Sequence, residues 1–364
     1  CMTQPPVRPG LQTIAPYVQG KSAIEGCAEP IKLSSNESSF GPSPQAILAF
    51  QAAATQLHRY PDGSQQALRG AIAEVHGLPA ANIVCGNGSE ELIGLLMRAY
   101  VGEGDEVVLS QNGFVMCEIY TRGQGATPVV AAEREHRIDV DALLAAVTPR
   151  TKMVCIANPN NPTGTYLPLA EIERLHRALP AQVLLLLDGA YAEFVLARDF
   201  DAGAALVAAN TNVVMTRTFS KIYGLSGLRI GWAYAPAAVI DAVQRIRTPF
   251  NTNAAALAAA AAAVRDQAFV EQRRRHNHAW LQTLAQAFAA MEIEMIPSVA
   301  NFYLLRFDGR DGKTAAAAAA HLRASGIIPR PVGDASSPYL RITVGLATEN
   351  EAVIKALREF MRPH

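Results

Sequence analysis

The chain has 364 residues, 50% of them apolar and 7% aromatic, enough for about two domains with cores that lean on Ala, Leu and Val. Its 32 basic residues balance 32 acidic ones and no basic block stands out, which argues against nucleic acid or an anionic membrane as main partner. Cys1, Cys27, Cys85, Cys117 and Cys155 form no CxxC pair, a pattern of reduced thiols rather than of a disulfide framework or a metal site.

The N-terminal CMTQPPVRPG has no apolar segment of the secretory kind, and Cys1 ahead of Met2 reads as an addition to the natural start. The alanine-rich run Ala254–Ala263 is too short to span a bilayer. A soluble, cytoplasmic protein is expected.

In chain order, CGNGSEELIGLL (Cys85–Leu96) is a glycine turn opening a helix at Ser89 or Glu90, where free backbone N–H groups suit an anion; an ordinary capped helix start would read the same. DEVVLS (Asp105–Ser110), KMVCIAN (Lys152–Asn158), QVLLLLD (Gln182–Asp188) and NVVMTR (Asn212–Arg217) are apolar enough for strands buried on both faces. Helical patterns such as LPLAEIERLHRAL (Leu167–Leu179) lie between them, which predicts an α/β fold with a mostly parallel sheet. After TPFNTN (Thr248–Asn253) the pattern changes: one long helical stretch is expected from about Ala254 to Ala290, charged and exposed, with Arg273–Arg275 on a solvated face. NFYLLRF (Asn301–Phe307) and YLRITVG (Tyr339–Gly345) then read as strands of a smaller α+β unit.

Ligands of parallel sheets collect beyond the carboxyl ends of strands, and Asn161, Asp188 and Lys221 fall at or just after such ends. Lys221 has the hydroxyls of Thr218 and Ser220 before it and Arg229 after it. An amine attacks a carbonyl only when unprotonated, so a lysine kept for that task needs desolvation or nearby positive charge. A lysine, two hydroxyls and an arginine suit an aldehyde cofactor carrying a phosphate, namely pyridoxal 5′-phosphate. Asp188 would satisfy its protonated ring nitrogen, unless it merely caps the next helix. Tyr191 and Asn161, in DGAYAEF and ANPNNPTGTYL, could donate to its ring oxygen.

With these motifs in place, the chain resembles the fold-type I pyridoxal-phosphate-dependent aminotransferases, and within them the histidinol-phosphate aminotransferase group. The resemblance runs through IAPY (Ile14–Tyr17), KLSSNESSFGPSP (Lys32–Pro44), RYPDGS (Arg59–Ser64), GNGSEELI, ANPNNPTGTYL, DGAYAEF, TFSKIYGLSGLRIGW, NFYLLRF, IIPRPVG (Ile327–Gly333) and YLRITVG. It implies a seven-stranded large domain over 38–250, and a small domain built from 1–37 with 251–364.

The resemblance also implies roles. Lys221 matches the lysine that carries the cofactor and shuttles the substrate proton, Asp188 the partner of the ring nitrogen, and Tyr191 and Asn161 the groups on the ring oxygen. Gly88, Ser89, Thr218 and Arg229 match the phosphate cup, with Glu90 and Ser220 beside it, and Phe114 the ring that stacks on the cofactor. Tyr60 matches a tyrosine that reaches the partner subunit's site in a homodimer. Arg341 matches the arginine that grips the substrate's anionic group, joined by Arg330, Tyr17 and Asn36.

The implied reaction is transfer of an amino group from L-histidinol phosphate to 2-oxoglutarate. An aromatic amino-acid aminotransferase is the alternative; a decarboxylase of the threonine-phosphate type and a cofactor-binding regulator are further readings. Ser38, Ser39, Asn112, Cys117 and Gly189 depart from the family's usual residues and touch the substrate loop or the pocket wall.

Overall fold

The computed structural model describes residues 5–362; Cys1 and Met2 lie outside the described residues. Seven strands form the main sheet: β1 (Ile83–Gly86), β2 (Glu106–Ser110), β3 (Thr127–Ala131), β4 (Thr151–Ala157), β5 (Leu184–Asp188), β6 (Val213–Thr218) and β7 (Gly231–Tyr234). Their spatial order is β1-β7-β6-β5-β4-β2-β3, parallel throughout except β7, which runs antiparallel to β1 and β6. The four strands anticipated from apolar runs are present, each within two residues of its expected ends.

Burial on both faces explains their composition. Along β5, Leu185 and Leu187 enter the core on one side of the sheet, and Leu184 and Leu186 the core on the other. Helices α1 (Pro44–Ala53), α2 (Gln66–His76), α3 (Gly88–Tyr100), α4 (Val115–Gly123), α5 (Leu169–Ala178) and α6 (Ala237–Ile246) flank the sheet. α2 and α5 supply Leu68, Ile72, Ile172 and Leu175 to the first core; α3 and α6 supply Leu92, Leu96, Val239 and Val243 to the second.

The single helical stretch expected after residue 253 is two helices, α7 (Ala254–Arg265) and α8 (Gln267–Ala289). Asp266 breaks it: its side chain accepts from the Phe269 backbone N–H, an N-cap that restarts the helix in a new direction. α7 packs its alanines against α1 and α2, where small side chains allow close approach. α8 is not wholly exposed, since Phe269, Val270, Leu281, Leu284 and Phe288 are buried. Arg273 corrects the solvated-face expectation: its guanidinium lies 3.9 Å from the ring centres of both Phe40 and Phe269. Arg274 is tied to the Glu193 carbonyl, and only Arg275 is exposed.

A second, antiparallel sheet contains β8 (Glu294–Ile296), β9 (Phe302–Arg306), β10 (Arg330–Pro331) and β11 (Tyr339–Thr343) in the order β8-β9-β11-β10. It packs with α8, α9 (Ala315–Ala324) and α10 (Ala347–Met361) around Leu284, Phe288, Tyr303, Leu322 and Leu357. Ile31–Lys32 pairs in parallel with Ile327–Ile328, and the Leu33 carbonyl accepts from the Thr343 N–H. These bonds lay residues 34–36 across the mouth of the main sheet, beside β11. Among the described residues no helix is long and apolar enough to cross a membrane.

Candidate active site

The carboxyl ends of β4, β5 and β6 lie side by side, with Ala157 opposite Asp188 and Asp188 opposite Thr216. Asp188 closes β5 at the floor of a cleft and is 5% exposed. It does not cap a helix. Its carboxylate accepts from Thr216 Oγ1 at 3.2 Å and from the Ala190 backbone N–H; neither donor is a cation. Burial pushes its pKa up to about 6, only partly offset by these donors and by the more distant Lys221 charge. A buried carboxylate in that condition gains from a cationic ligand.

Lys221 follows β6 by three residues. Its Nζ donates to the Ser35 carbonyl at 3.2 Å and lies 5.6 Å from the centre of the Tyr191 ring. Tyr191 is buried, stacks edge-on against Phe302, and its hydroxyl accepts from Asn36 Nδ2 at 3.0 Å.

Anion-binding groups line one wall. Thr218 Oγ1 accepts from the Ser220 N–H at 3.1 Å and donates to Ser220 Oγ at 3.0 Å, which in turn accepts from Arg229 Nη1 at 3.2 Å. Helix α3 starts at Gly88, one residue before the expected Ser89, and its amino end faces this wall. Gly88 has φ +80°, and a Cβ there would sit 2.5 Å from Arg229 Nη2; glycine is what allows the guanidinium to close over the turn. Gly231 is constrained too, since a Cβ would fall 2.3 Å from the Ser89 nitrogen. Glu90 accepts from the Tyr120 hydroxyl at 3.2 Å and approaches Arg229 to 3.9 Å.

The opposite wall belongs to the small sheet. Arg341 donates from Nη1 to Asn161 Oδ1 at 2.7 Å and from Nη2 to the Ser34 carbonyl at 2.8 Å, while its buried Nε has no partner among the described residues. Burial, aided by nearby Arg330, holds its pKa below the usual arginine range. Arg330 stands opposite Arg341 in the β10–β11 register and donates to the Val18 carbonyl at 3.2 Å. Together the walls enclose about 540 Å³, lined also by Tyr17, Asn36, Ser89, Phe114 and Tyr191. Two anticipated residues do not line it: Gly88 lies beneath Arg229, and Tyr60 is 83% exposed with its ring stacked on Phe250 at 4.7 Å.

Several site residues were not anticipated. Thr216 and Thr343 could have been found from strand periodicity, one as the register partner of Asp188, the other two positions after Arg341 on the same face. Glu133 carried no local signal. Its Oε1 accepts from Ser110 Oγ at 2.6 Å, Asn160 Nδ2 at 3.0 Å and the Asn112 N–H at 3.1 Å, and its Oε2 from Asn112 Nδ2 at 2.7 Å. Glu133 thereby ties together the loops that carry Phe114 and Asn161. Two departures acquire physical reasons: Asn112 belongs to this clamp, and a Cβ at Gly189 would come within 2.9 Å of Arg217 Cδ, whose guanidinium pairs with buried Glu193 at 2.8 Å. Cys117 packs its Sγ 2.9 Å from that of Cys155.

A family profile described as aminotransferase class I and II matches residues 28–359. This chain belongs to that family. It therefore exchanges an amino group between an amino donor and a keto acid, with pyridoxal 5′-phosphate as cofactor. A histidinol-phosphate aminotransferase of Paramagnetospirillum magneticum is 52% identical over 361 residues, with 99% of each chain covered. One from Rhodopseudomonas palustris is 48% identical over 362 residues, again at 99% coverage of each. Among solved structures, the histidinol-phosphate aminotransferase of Sinorhizobium meliloti, in complex with pyridoxal 5′-phosphate, superposes with a TM-score of 0.90, at 30% identity and 99% coverage of both chains.

Proposed function

We propose that this aminotransferase moves the amino group of L-histidinol phosphate to 2-oxoglutarate in two alternating half-reactions. The residues present fit the cofactor: the carboxylate of Asp188 is buried without a cation among the described residues, the absence of a Cβ at Gly88 lets the Arg229 guanidinium close over the turn at the start of α3, and the hydroxyls of Thr218 and Ser220 meet that guanidinium there. When bound, the cofactor supplies an aldehyde carbon that takes up amines and a protonated ring that accepts electron density.

The protein's own groups do the rest. Asp188 keeps the ring nitrogen protonated. Lys221 Nζ, steered by the Ser35 carbonyl, holds the aldehyde and then carries the proton to and from the substrate α-carbon. Arg341 occupies Asn161 Oδ1, which leaves the Asn161 amide nitrogen to donate to the ring oxygen alongside Tyr191. Phe114, which lines the cavity, would flank the ring, and Ser89, Thr218, Ser220 and Arg229, over Gly88, would hold the phosphate, with Glu90 orienting Arg229.

The observation that carries the substrate reading is Arg330 in register with Arg341, both facing the cavity and neither paired with a carboxylate among the described residues. Two uncompensated guanidiniums suit a doubly charged phosphate better than one carboxylate. Tyr17 and Asn36 complete that end, and the names of the two curated relatives point the same way. Phe114 and Tyr17 would also accept an aromatic amino acid, so the test is kcat/KM for histidinol phosphate against phenylalanine, each with 2-oxoglutarate. An excess for phenylalanine overturns the substrate and spares the family.

We further propose a homodimer in which Tyr60, turned away from its own cavity, reaches the partner subunit's phosphate cup. Mixing Lys221→Ala and Tyr60→Ala proteins tests this: hybrids have one intact site and should show more activity than the two parents summed. The domain division is proposed as 38–250, and 1–37 with 251–364, with α7 as the seam packed on the large unit. The four described cysteines are free thiols, which supports a cytoplasmic setting.

A further inference from the structure

Thr343 ends β11, two residues beyond Arg341, and is 1% exposed. Its hydroxyl accepts from the Asn36 backbone N–H at 2.9 Å and donates to Asn36 Oδ1 at 3.2 Å. Asn36 has left-handed backbone at φ +55°, a sparsely populated region for a residue with a side chain, so its surroundings must hold it there. Asn301 Nδ2 contributes by donating to the Asn36 carbonyl at 3.0 Å.

This arrangement decides which way the Asn36 amide points. Were the amide turned over, the Thr343 hydroxyl would face two donors and, among the described residues, would have no acceptor in a place closed to water. With Oδ1 committed to Thr343, Nδ2 donates to the Tyr191 hydroxyl at 3.0 Å. The phenol oxygen is the acceptor along that line, which leaves its own proton free to be donated elsewhere.

We propose that Thr343 is a positioning residue which, acting through Asn36, directs the Tyr191 hydroxyl to donate toward the cofactor's ring oxygen. The inference rests on the reading that pyridoxal 5′-phosphate sits at Lys221. A donor at the ring oxygen draws negative charge from it, and this lowers the pH at which the bound chromophore titrates.

The experiment compares wild type, Thr343→Val and Thr343→Ser, each reconstituted with pyridoxal 5′-phosphate. Visible absorbance is followed against pH, and cofactor Kd is measured by titrating the cofactor-free protein. Thr343→Val should raise the absorbance midpoint by about half a unit or more, about a threefold change in the proton equilibrium. It should weaken cofactor binding several-fold, while Thr343→Ser stays close to wild type. Thr343→Val in a Tyr191→Phe background should add no further shift, because both changes act on one donor.

An unchanged midpoint in Thr343→Val, or shifts that simply add in the double variant, overturns the proposal. Should Thr343→Val fail to fold, Asn36→Asp replaces the donor by an oxygen that draws back the Tyr191 proton; it must also raise the midpoint, and a midpoint that stays put overturns the proposal. Wild type with no cofactor absorbance would instead overturn the cofactor reading itself.

Discussion

Arg330 and Arg341 stand directly opposite one another on adjacent antiparallel strands, and the Nε of Arg341 is buried without an acceptor among the described residues. Like charges in register oppose each other, and an anion bound between them relieves that repulsion. The site is thus built to be completed by its ligand.

Arg330→Ala should therefore discriminate between substrates. Loss of one guanidinium from a phosphate costs on the order of 2–3 kcal/mol, or about two decades in kcat/KM for histidinol phosphate. The half-reaction with phenylalanine, which offers a single carboxylate, should fall less than about tenfold, since Arg341 can hold it alone. Equal losses for both substrates, measured by single-turnover kinetics, would remove Arg330 from the phosphate site.

Asp188 makes the cofactor-free protein lose stability as pH rises, the reverse of the usual acid sensitivity of a carboxylate. Burial penalises the charged form and raises its folded pKa from the ordinary aspartate value of 3.8 to about 6. The sign follows: this group's contribution is most favourable below about pH 4 and is lost as pH rises through about 6. The loss is about 3 kcal/mol, at about 1.4 kcal/mol per pH unit. Asp188→Asn should flatten that part of the stability profile of the cofactor-free protein, while reducing kcat by about two decades or more in the loaded enzyme because the ring nitrogen loses its counter-ion. Denaturant melts of both proteins from pH 4 to 7 supply the comparison; parallel profiles would refute the shift.

Lys221→Ala should lose the visible absorbance of the bound cofactor and nearly all turnover, while its melting temperature stays near that of wild type without cofactor. The Nζ has one weak partner, the Ser35 carbonyl, so little folding energy depends on it. Near-wild-type turnover in that variant would displace Lys221 from its role.

Glu133 holds two cofactor-facing loops by four accepted hydrogen bonds. Bonds to a charged acceptor contribute about 1.5–3 kcal/mol each before loop relaxation. Glu133→Ala should lower the melting temperature by about ten degrees or more and weaken pyridoxal 5′-phosphate binding about tenfold. Glu133→Gln, which keeps one carbonyl acceptor, should fall between. Unchanged cofactor affinity in Glu133→Ala would show that the loops keep their positions without the clamp.

Arg273→Ala removes a guanidinium held between Phe40 and Phe269. A loss of about 1–2 kcal/mol in stability is expected from two such contacts, with kcat unchanged, as read from denaturant melts beside steady-state rates.

The sequence by itself determined four central strands of the sheet, the family and most of the cavity wall, because each of those signals is local. Doubly buried strands are apolar throughout, turns need glycine and proline, and Asp188, Asn161 and Lys221 lie at or just after strand ends that can be read directly, with Arg229 in the glycine-rich run that follows Lys221. Tertiary structure alone decided the rest. The break at Asp266, the enclosure of Arg273 between two rings and the clamp at Glu133 each depend on what arrives from elsewhere in the chain. So does the junction of Thr343 with Asn36, residues 307 positions apart. Hydrogen-bond direction and burial belong to pairs of groups brought together by folding, and no stretch of one strand or turn encodes both members of such a pair.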